Sequence, residues 1–492
     1  MQRSAWPGKD RPRAMGRNGV TEKEQDIELA VRDTAPSRSN PTVTEAENDA
    51  STSEIDQLIE SSDGKSEKAE GRSVSARLWS NVNGGTLRHE PGSLVGAILL
   101  VAGTTVGAGI LAIPAVTQDA GFLASAFACV GCWAYMATTG ILVAEVNINT
   151  MCELGSGGVS LVSMAERTLG KAGVRVAVGT YIFIHYALLV AYVARSGDII
   201  TNFTGLPLPV SAAAFTAAFG AITYFSSQKT LGYVNGFLIA AILASFATLV
   251  GIAAPEVEPA SLLKANWSAV PASIPIVALS FVYQNVVPVI SSELEGDLPK
   301  IRTAIMYGTA IPLTMFLLWD AVILGSVPAA VPGAAQSMAA MDPLLRLRES
   351  SGAVGPAVEI FSFFAIGTSF IGFVLGLSDF LADLLKLPSG QEKRRPLPYL
   401  LTLIPPYALA LTNPEIFYKA LDFAGAYGVL VLFGLFPGAM AWAERYTDAC
   451  MTPAVKPIIP GGKVTLSLIM GAAGIVIAGE FVKDVAGFLQ VH

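Results

Sequence analysis

Residues Gly103 to Pro114 read GTTVGAGILAIP, and they lie inside the first long apolar run of the chain, about residues 93–116. At 1.5 Å of rise per residue such a run covers a hydrocarbon core of roughly 30 Å. Three glycines and a proline within it free backbone N–H and C=O groups where no water can satisfy them. Non-helical backbone at that depth is tolerated only when it is buried in protein or lines a polar cavity. The break also brings free amides and the positive end of a helix dipole to mid-membrane, where a carboxylate can be held. The stretch therefore reads as a substrate site in a secondary transporter.

Composition points the same way. Of 492 residues 52% are hydrophobic and only 14% charged, with a mean hydropathy of +0.52, too apolar for a water-soluble chain of this length. The acidic balance (pI about 5.2) averages two unlike parts and says little about partners. Four cysteines form no disulfide framework. Cys129 and Cys132 make a C-x-x-C within an apolar span, where packing on one helical face is the expected role. No H-E-x-x-H, G-x-S-x-G or paired metal-ligand motif lies in or beside a span, so the chain does not read as an enzyme and implies no metal or cofactor.

Residues 1–91 are rich in Ser, Glu, Asp, Lys, Arg and Gly and poor in large apolar residues, a composition that cannot bury enough surface to fold. They read as a disordered cytosolic tail. An Arg-rich opening (Arg3, Arg11, Arg13, Arg17) keeps organelle targeting open, although Glu22, Glu24, Asp26 and Glu28 follow at once and transit peptides are acid-poor.

From residue 92 onward the chain reads as one transmembrane domain. Apolar runs at about 93–116, 121–146, 174–200, 208–227, 230–253, 271–292, 303–327, 354–385, 397–413, 418–443 and 463–489 predict eleven membrane helices and an all-α fold. With the N-terminus in the cytosol, Arg167, Lys171, Arg175, Lys300, Arg302, Lys386, Lys393, Arg394, Arg395 and Arg445 fall inside. The outer side keeps Lys264, Arg346, Arg348, Lys419 and Lys483, the asymmetry the positive-inside rule asks for. Two N-x-[ST] triplets, at Asn202 and Asn266, fall in loops this topology places outside.

A second interruption lies in the sixth run, SFVYQNVVPVISSE (Ser280–Glu293). The two broken runs are five apart and so cross in opposite directions. That is what an inverted repeat of five plus five helices requires, with helices 1 and 6 broken and the site between the breaks.

Together these stretches resemble the hydroxy and aromatic amino acid permeases, also called the tryptophan/tyrosine permease family, within the amino acid–polyamine–cation superfamily. The likeness rests on GTTVGAGILAIPAVTQDAGF (Gly103–Phe122), YALLVAYVARSGDII (Tyr186–Ile200) and GLSDFLADLL (Gly376–Leu385), and extends over nearly everything after Pro91. It implies proton-coupled import of tyrosine or tryptophan. Amides of Thr105, Val106, Gly107 and Ala108 are the expected carboxylate ligands, with carbonyls near Gly103 and Thr104 for the ammonium. Gly107 and Gly109 permit close backbone approach. Phe281, Tyr283 and Tyr186 are candidate aromatic walls, and Gln284 and Asn285 candidate partners for a phenol or indole.

Coupling candidates are the intramembrane ionisable residues Glu145, Asp379 and His185 for a proton, and the Thr368–Ser369 hydroxyl pair should sodium be the ion. The implied partners are an amino acid, a proton or sodium, and the bilayer of a plasma membrane or plastid envelope, with no nucleic acid. A non-transporting amino acid sensor on the same scaffold is the alternative.

Overall fold

In a computed structural model the described residues are 92–154, 159–326, 354–385, 396–412, 416–447 and 455–491. The expected tail, residues 1–91, lies outside them. The described residues are helical, with no strand among them. Helix α1 (Leu94–Thr105) starts where Ser93 accepts a hydrogen bond from the Gly96 amide, and it stops three residues before α2 (Gly109–Thr117). The two are bent by 53°. There follow α3 (Gly121–Leu154), α4 (Leu161–Thr204), α5 (Leu208–Phe225) and α6 (Gln228–Ala253). Helix α7 (Val270–Ser280) is separated from α8 (Val287–Glu293) by three non-helical residues and a 3-10 turn at Gln284–Val286. Then come α9 (Leu298–Ser326), α10 (Val354–Leu384) and α11 (Pro396–Ala410). Helix α12 (Ile416–Phe423) runs through a π-helical stretch, Ala424–Leu435, into α13 (Phe436–Tyr446), and α14 (Gly462–Val491) closes the chain.

Among the described residues nine helical segments are long and apolar enough to cross a membrane, and the bent pair α1–α2 makes a tenth. Helix α11, at the ninth expected position, has 15 residues with Pro405 and Pro406 inside it. That is about 22 Å, short of a full hydrocarbon core. Helix α4, the third expected span, begins earlier than its apolar run. Ser160 caps it, and Gly170, at a positive φ of 63°, kinks a polar first segment against the apolar remainder. Hydropathy registers only the part beyond the kink.

Helices α1 and α3 each pack along α9, as do α6 with α10, and α4 with α5, α11 and α12. Helix α7 lies against α2, α3 and the π-helical stretch. The middle of α2 is wholly enclosed, with Ile110, Leu111, Ala112 and Ile113 each 0% exposed. At the other extreme, α14 carries Val464, Leu468, Ile475 and Phe481 outward and α6 carries Tyr233 and Phe237. Such continuous apolar exposure suits lipid rather than water.

One end of the bundle is tied by charge. The Arg445 guanidinium binds Glu145 through two 2.7 Å bonds, and the Ile458 amide adds a third at 2.9 Å. Arg167 reaches Glu444 at 2.7 Å and also pairs with Glu153, while Asn149 donates to Glu444. Glu145, Arg445, Arg167 and Glu444 are all nearly inaccessible at the side chain. Buried ions persist only when paired and hydrogen-bonded in this way.

Candidate functional site

The gap between α1 and α2 is where the first helix runs out of backbone partners. The Val106 N–H still reaches Ala102 O at 2.9 Å, and the helix resumes with Ile110 and Leu111 donating to Gly107 O and Ala108 O. Among the described residues the amides of Gly107 and Gly109 and the carbonyls of Gly103, Thr104 and Thr105 make no such bond. The Ala108 N–H is taken by Ser369 Oγ of α10 at 3.1 Å. Thr104 and Thr105 turn their hydroxyls back to Leu100 O and Val101 O, so what they present is backbone. A carbonyl end and an amide end thus face one gap, a pattern of opposite partial charges suited to an ammonium and a carboxylate on one carbon.

Glycine is required here by contact. A Cβ on Gly107 would lie 2.5 Å from Ser369 Oγ, and one on Gly109 would lie 2.7 Å from Ser280 Oγ and 2.9 Å from Ser280 Cα. The second number involves main chain of α7, so the two interrupted helices meet backbone to backbone.

The gap opens into a cavity of about 710 Å³ counting its mouth. One wall is aromatic. The His185 ring lies 4.0 Å from the Tyr181 centroid and 4.9 Å from that of Phe373, and Phe373 lies 5.8 Å from Tyr192. His185 Nδ1 is 2.8 Å from Tyr181 O, which holds the ring in place. The Tyr192 hydroxyl adjoins Ser369. Ser280, Val282 and Asn285 form the side toward the second interruption, and Leu432 and Phe433 of the π-helical stretch close another. No Asp, Glu, Lys or Arg is among the lining residues. A ligand there has its charges met by backbone dipoles, which favours a zwitterion over a net ion.

The sequence candidates are thereby sorted. Thr104, Thr105, Gly107, Ala108, Gly109, Asn285, Ser369 and His185 line the cavity. Gly103 and Val106 sit in the adjoining turn without lining it. Phe281 packs on Phe316, centroids 5.0 Å apart. Tyr283 donates its hydroxyl to Met136 O at 3.2 Å. Gln284 donates to Met136 O and Thr139 Oγ1, each at 3.2 Å, and accepts from the Tyr283 amide at 3.1 Å. These three face α3 and α9, away from the cavity. Tyr186 points to α11, bonding Leu401 O at 2.8 Å. Thr368 returns its hydroxyl to Ala365 O at 3.1 Å, so the hydroxyl pair does not face one space. Glu145 belongs to the ion-paired end, and Asp379 is exposed near Tyr181. Among the described residues no group of three or more His, Cys, Asp or Glu could hold a metal ion.

Tyr181, Tyr192, Phe373 and Ser280 were not singled out from the sequence. Tyr181, His185, Leu188 and Tyr192 recur at helical spacing, so the face containing His185 carries the signal, and Tyr186 is one residue, about 100°, off it.

Residues 90–479 match the model of the tryptophan/tyrosine permease family. Among characterised proteins, the chain is 29% identical over 415 residues to the tyrosine-specific transport system 1 of Haemophilus influenzae, covering 80% of this chain and 98% of that protein. It is 30% identical over 401 residues to the tyrosine-specific transport system 2 of the same bacterium, covering 76% and 92%. It is 29% identical over 393 residues to the tryptophan-specific transport protein of Shigella flexneri, covering 77% and 92%.

Proposed function

Because the chain belongs to the tryptophan/tyrosine permease family, a family of multi-pass membrane transporters, we propose that it imports an aromatic amino acid, tyrosine or tryptophan, by proton symport. The observation that carries this reading is the facing of the unpaired Gly107 and Gly109 amides with the carbonyls of Gly103–Thr105 beside the Tyr181–His185–Phe373–Tyr192 wall. The backbone ends match the one feature all α-amino acids share, and the rings match an aromatic side chain. The names of the relatives support the same substrates. Binding at the junction of two broken helices explains how transport follows. Rocking of α2 and α7 against the rest opens the cavity to alternate sides around a fixed site.

The full reading has eleven spans, with α11 as a short ninth, arranged as two five-helix repeats of opposite orientation. The interruptions in the first and sixth spans support it, as does the charge asymmetry of the loops. The family match begins at residue 90, which supports residues 1–91 as an appendage to the carrier. The relatives are bacterial, which supports a plasma membrane; the plastid envelope has no support among them.

The test is uptake of radiolabelled tyrosine and tryptophan by the full chain in liposomes, with a panel of competing amino acids. Accumulation is expected to collapse with an uncoupler and to survive replacement of sodium by choline. Dependence on sodium instead moves attention to Ser369. Binding without uptake establishes the sensor. Removal of residues 1–80 is expected to leave uptake kinetics near those of the full chain.

A further inference from the structure

The transport reading leaves unused one carboxylate that the bundle encloses completely. Asp320 of α9 is 0% exposed. Its Oδ1 lies 2.9 Å from Thr117 Oγ1, at the last residue of α2, and its Oδ2 is bonded by Ser125 Oγ of α3. Thr117 Oγ1 is also 2.7 Å from Ile113 O.

A threonine hydroxyl has one hydrogen. With Asp320 ionised, that hydrogen has to be shared between Ile113 O and Asp320 Oδ1, and a shared hydrogen makes neither bond linear. With a proton on Oδ1 every group is used: Asp320 donates to Thr117, Thr117 donates to Ile113 O, and Ser125 donates to Oδ2. Cys129, whose thiol adjoins Ser125, completes the chain.

Among the described residues no cation stands by to balance a charged Asp320. Helices α1 and α2 carry no titratable side chain, and Cys129 is the titratable group that α3 turns toward it. Helices α6 and α9 meet at their C-terminal ends, where Ser326 Oγ reaches Ala253 O at 3.3 Å. Lys229 and Tyr233 begin α6, and Lys300 and Arg302 begin α9, at the far end from Asp320. Helix α10, which meets α9 through Phe361 and Trp319, directs Glu359 to Asn202, 3.5 Å away. Of the nearby loop groups, Glu258 and Lys264 both turn to Ser261, at 3.5 and 3.3 Å.

We propose that Asp320 is the proton-binding site of the carrier, neutral while Thr117 is docked against it and free to ionise when α2 swings away. The inference rests on the proton-symport reading above and assigns it a residue. An O–H bond forms on Oδ1 with a proton taken from water and breaks as the proton returns to water. Helix α2 has nine residues and is about 13 Å long. It carries the Gly107–Gly109 cradle at one end and Thr117 at the other. Substrate held at the first end and a proton held at the second therefore bias the same rigid piece, which is what coupling requires.

The test uses the full chain in liposomes and pairs transport with infrared detection of a neutral buried carboxylic acid. Asp320→Asn, which keeps shape and neutrality, is expected to exchange labelled for unlabelled tyrosine yet to accumulate none on an imposed proton gradient. The carboxylic acid carbonyl band present in the wild type near neutral pH is expected to vanish in it. Accumulation by Asp320→Asn like that of the wild type, or an unaltered band, overturns the proposal. If the wild type moves no amino acid, the transport reading fails, while a band lost in Asp320→Asn still supports the proton site and a wild type without the band overturns it. Should Asp320→Asn fail to insert, Thr117→Val decides. Loss of the acceptor is expected to lower the proton affinity several-fold, moving the band's midpoint to lower pH, and an unmoved midpoint overturns the assignment.

Discussion

The two interruptions in this bundle are built differently. The first, Val106–Ala108, is nearly bare backbone, held by its own turn bonds and by the Ser369 bond to Ala108, and it brings Gly107 and Ala108 to the cavity. The second, Phe281–Val286, is anchored. Tyr283 and Gln284 fasten it to Met136 and Thr139 of α3, leaving Ser280, Val282 and Asn285 toward the cavity. The difference separates two tasks. On the proposed function, one interruption would offer the generic ligands of an amino acid's head group, while the other would hold a side chain at a fixed place where it can discriminate.

Substitutions at both interruptions test that division. Gly109→Val drives a side chain into the main chain at Ser280 and pushes the two interruptions apart. Overpacking of this kind costs about 1–3 kcal/mol or more, and substrate binding is expected to vanish in equilibrium binding assays. Gly107→Ala meets only the Ser369 hydroxyl, so Gly107→Ala with Ser369→Ala is expected to bind better than Gly107→Ala alone. A double variant no better than the single one breaks the account of the first interruption.

Gln284→Leu should act on the anchor. It leaves the buried Tyr283 N–H unpaired, at a cost of about 1–3 kcal/mol of stability. A lower melting temperature in detergent is expected, with affinity changed far less than in the glycine variant. A large loss of affinity at unaltered stability returns Gln284 to the binding site.

The smallest effect belongs to Asn285→Ala. Losing one neutral hydrogen bond of about 0.5–1.5 kcal/mol weakens binding about 2–13-fold. The loss is expected for a substrate whose ring bears a hydroxyl or N–H, and not for phenylalanine. Competition assays that show equal loss for phenylalanine assign Asn285 to the head group instead.

Hydropathy and the Gly-Pro pattern were enough to read the all-helical membrane fold, because lipid leaves few other ways to satisfy a backbone. The first cluster around the cavity was legible for the same reason: Thr104, Thr105 and Gly107–Gly109 bring main chain there, whose position follows from where the helix breaks. The second cluster was less legible. Through residues 280–283 successive side chains alternate sides, so Ser280 and Val282 face the cavity while Phe281 and Tyr283, the residues with the more suggestive chemistry, face protein. Asp320 lay in plain view as an intramembrane acid, but its meaning depends on hydroxyls 203 and 195 positions away. No local pattern records such a meeting.

The ion-paired end of the bundle has a consequence for how the protein is made. Glu145 and Arg445 are 300 positions apart, and ribosomes add about 5–20 residues per second. For roughly 15–60 s, then, α3 exists with its carboxylate unmatched. Until Arg445 emerges, that end of α3 has to remain at the headgroup level, where water can solvate it. Any chain cut short before residue 445 keeps an acid on α3 without the counter-ion that the folded protein gives it.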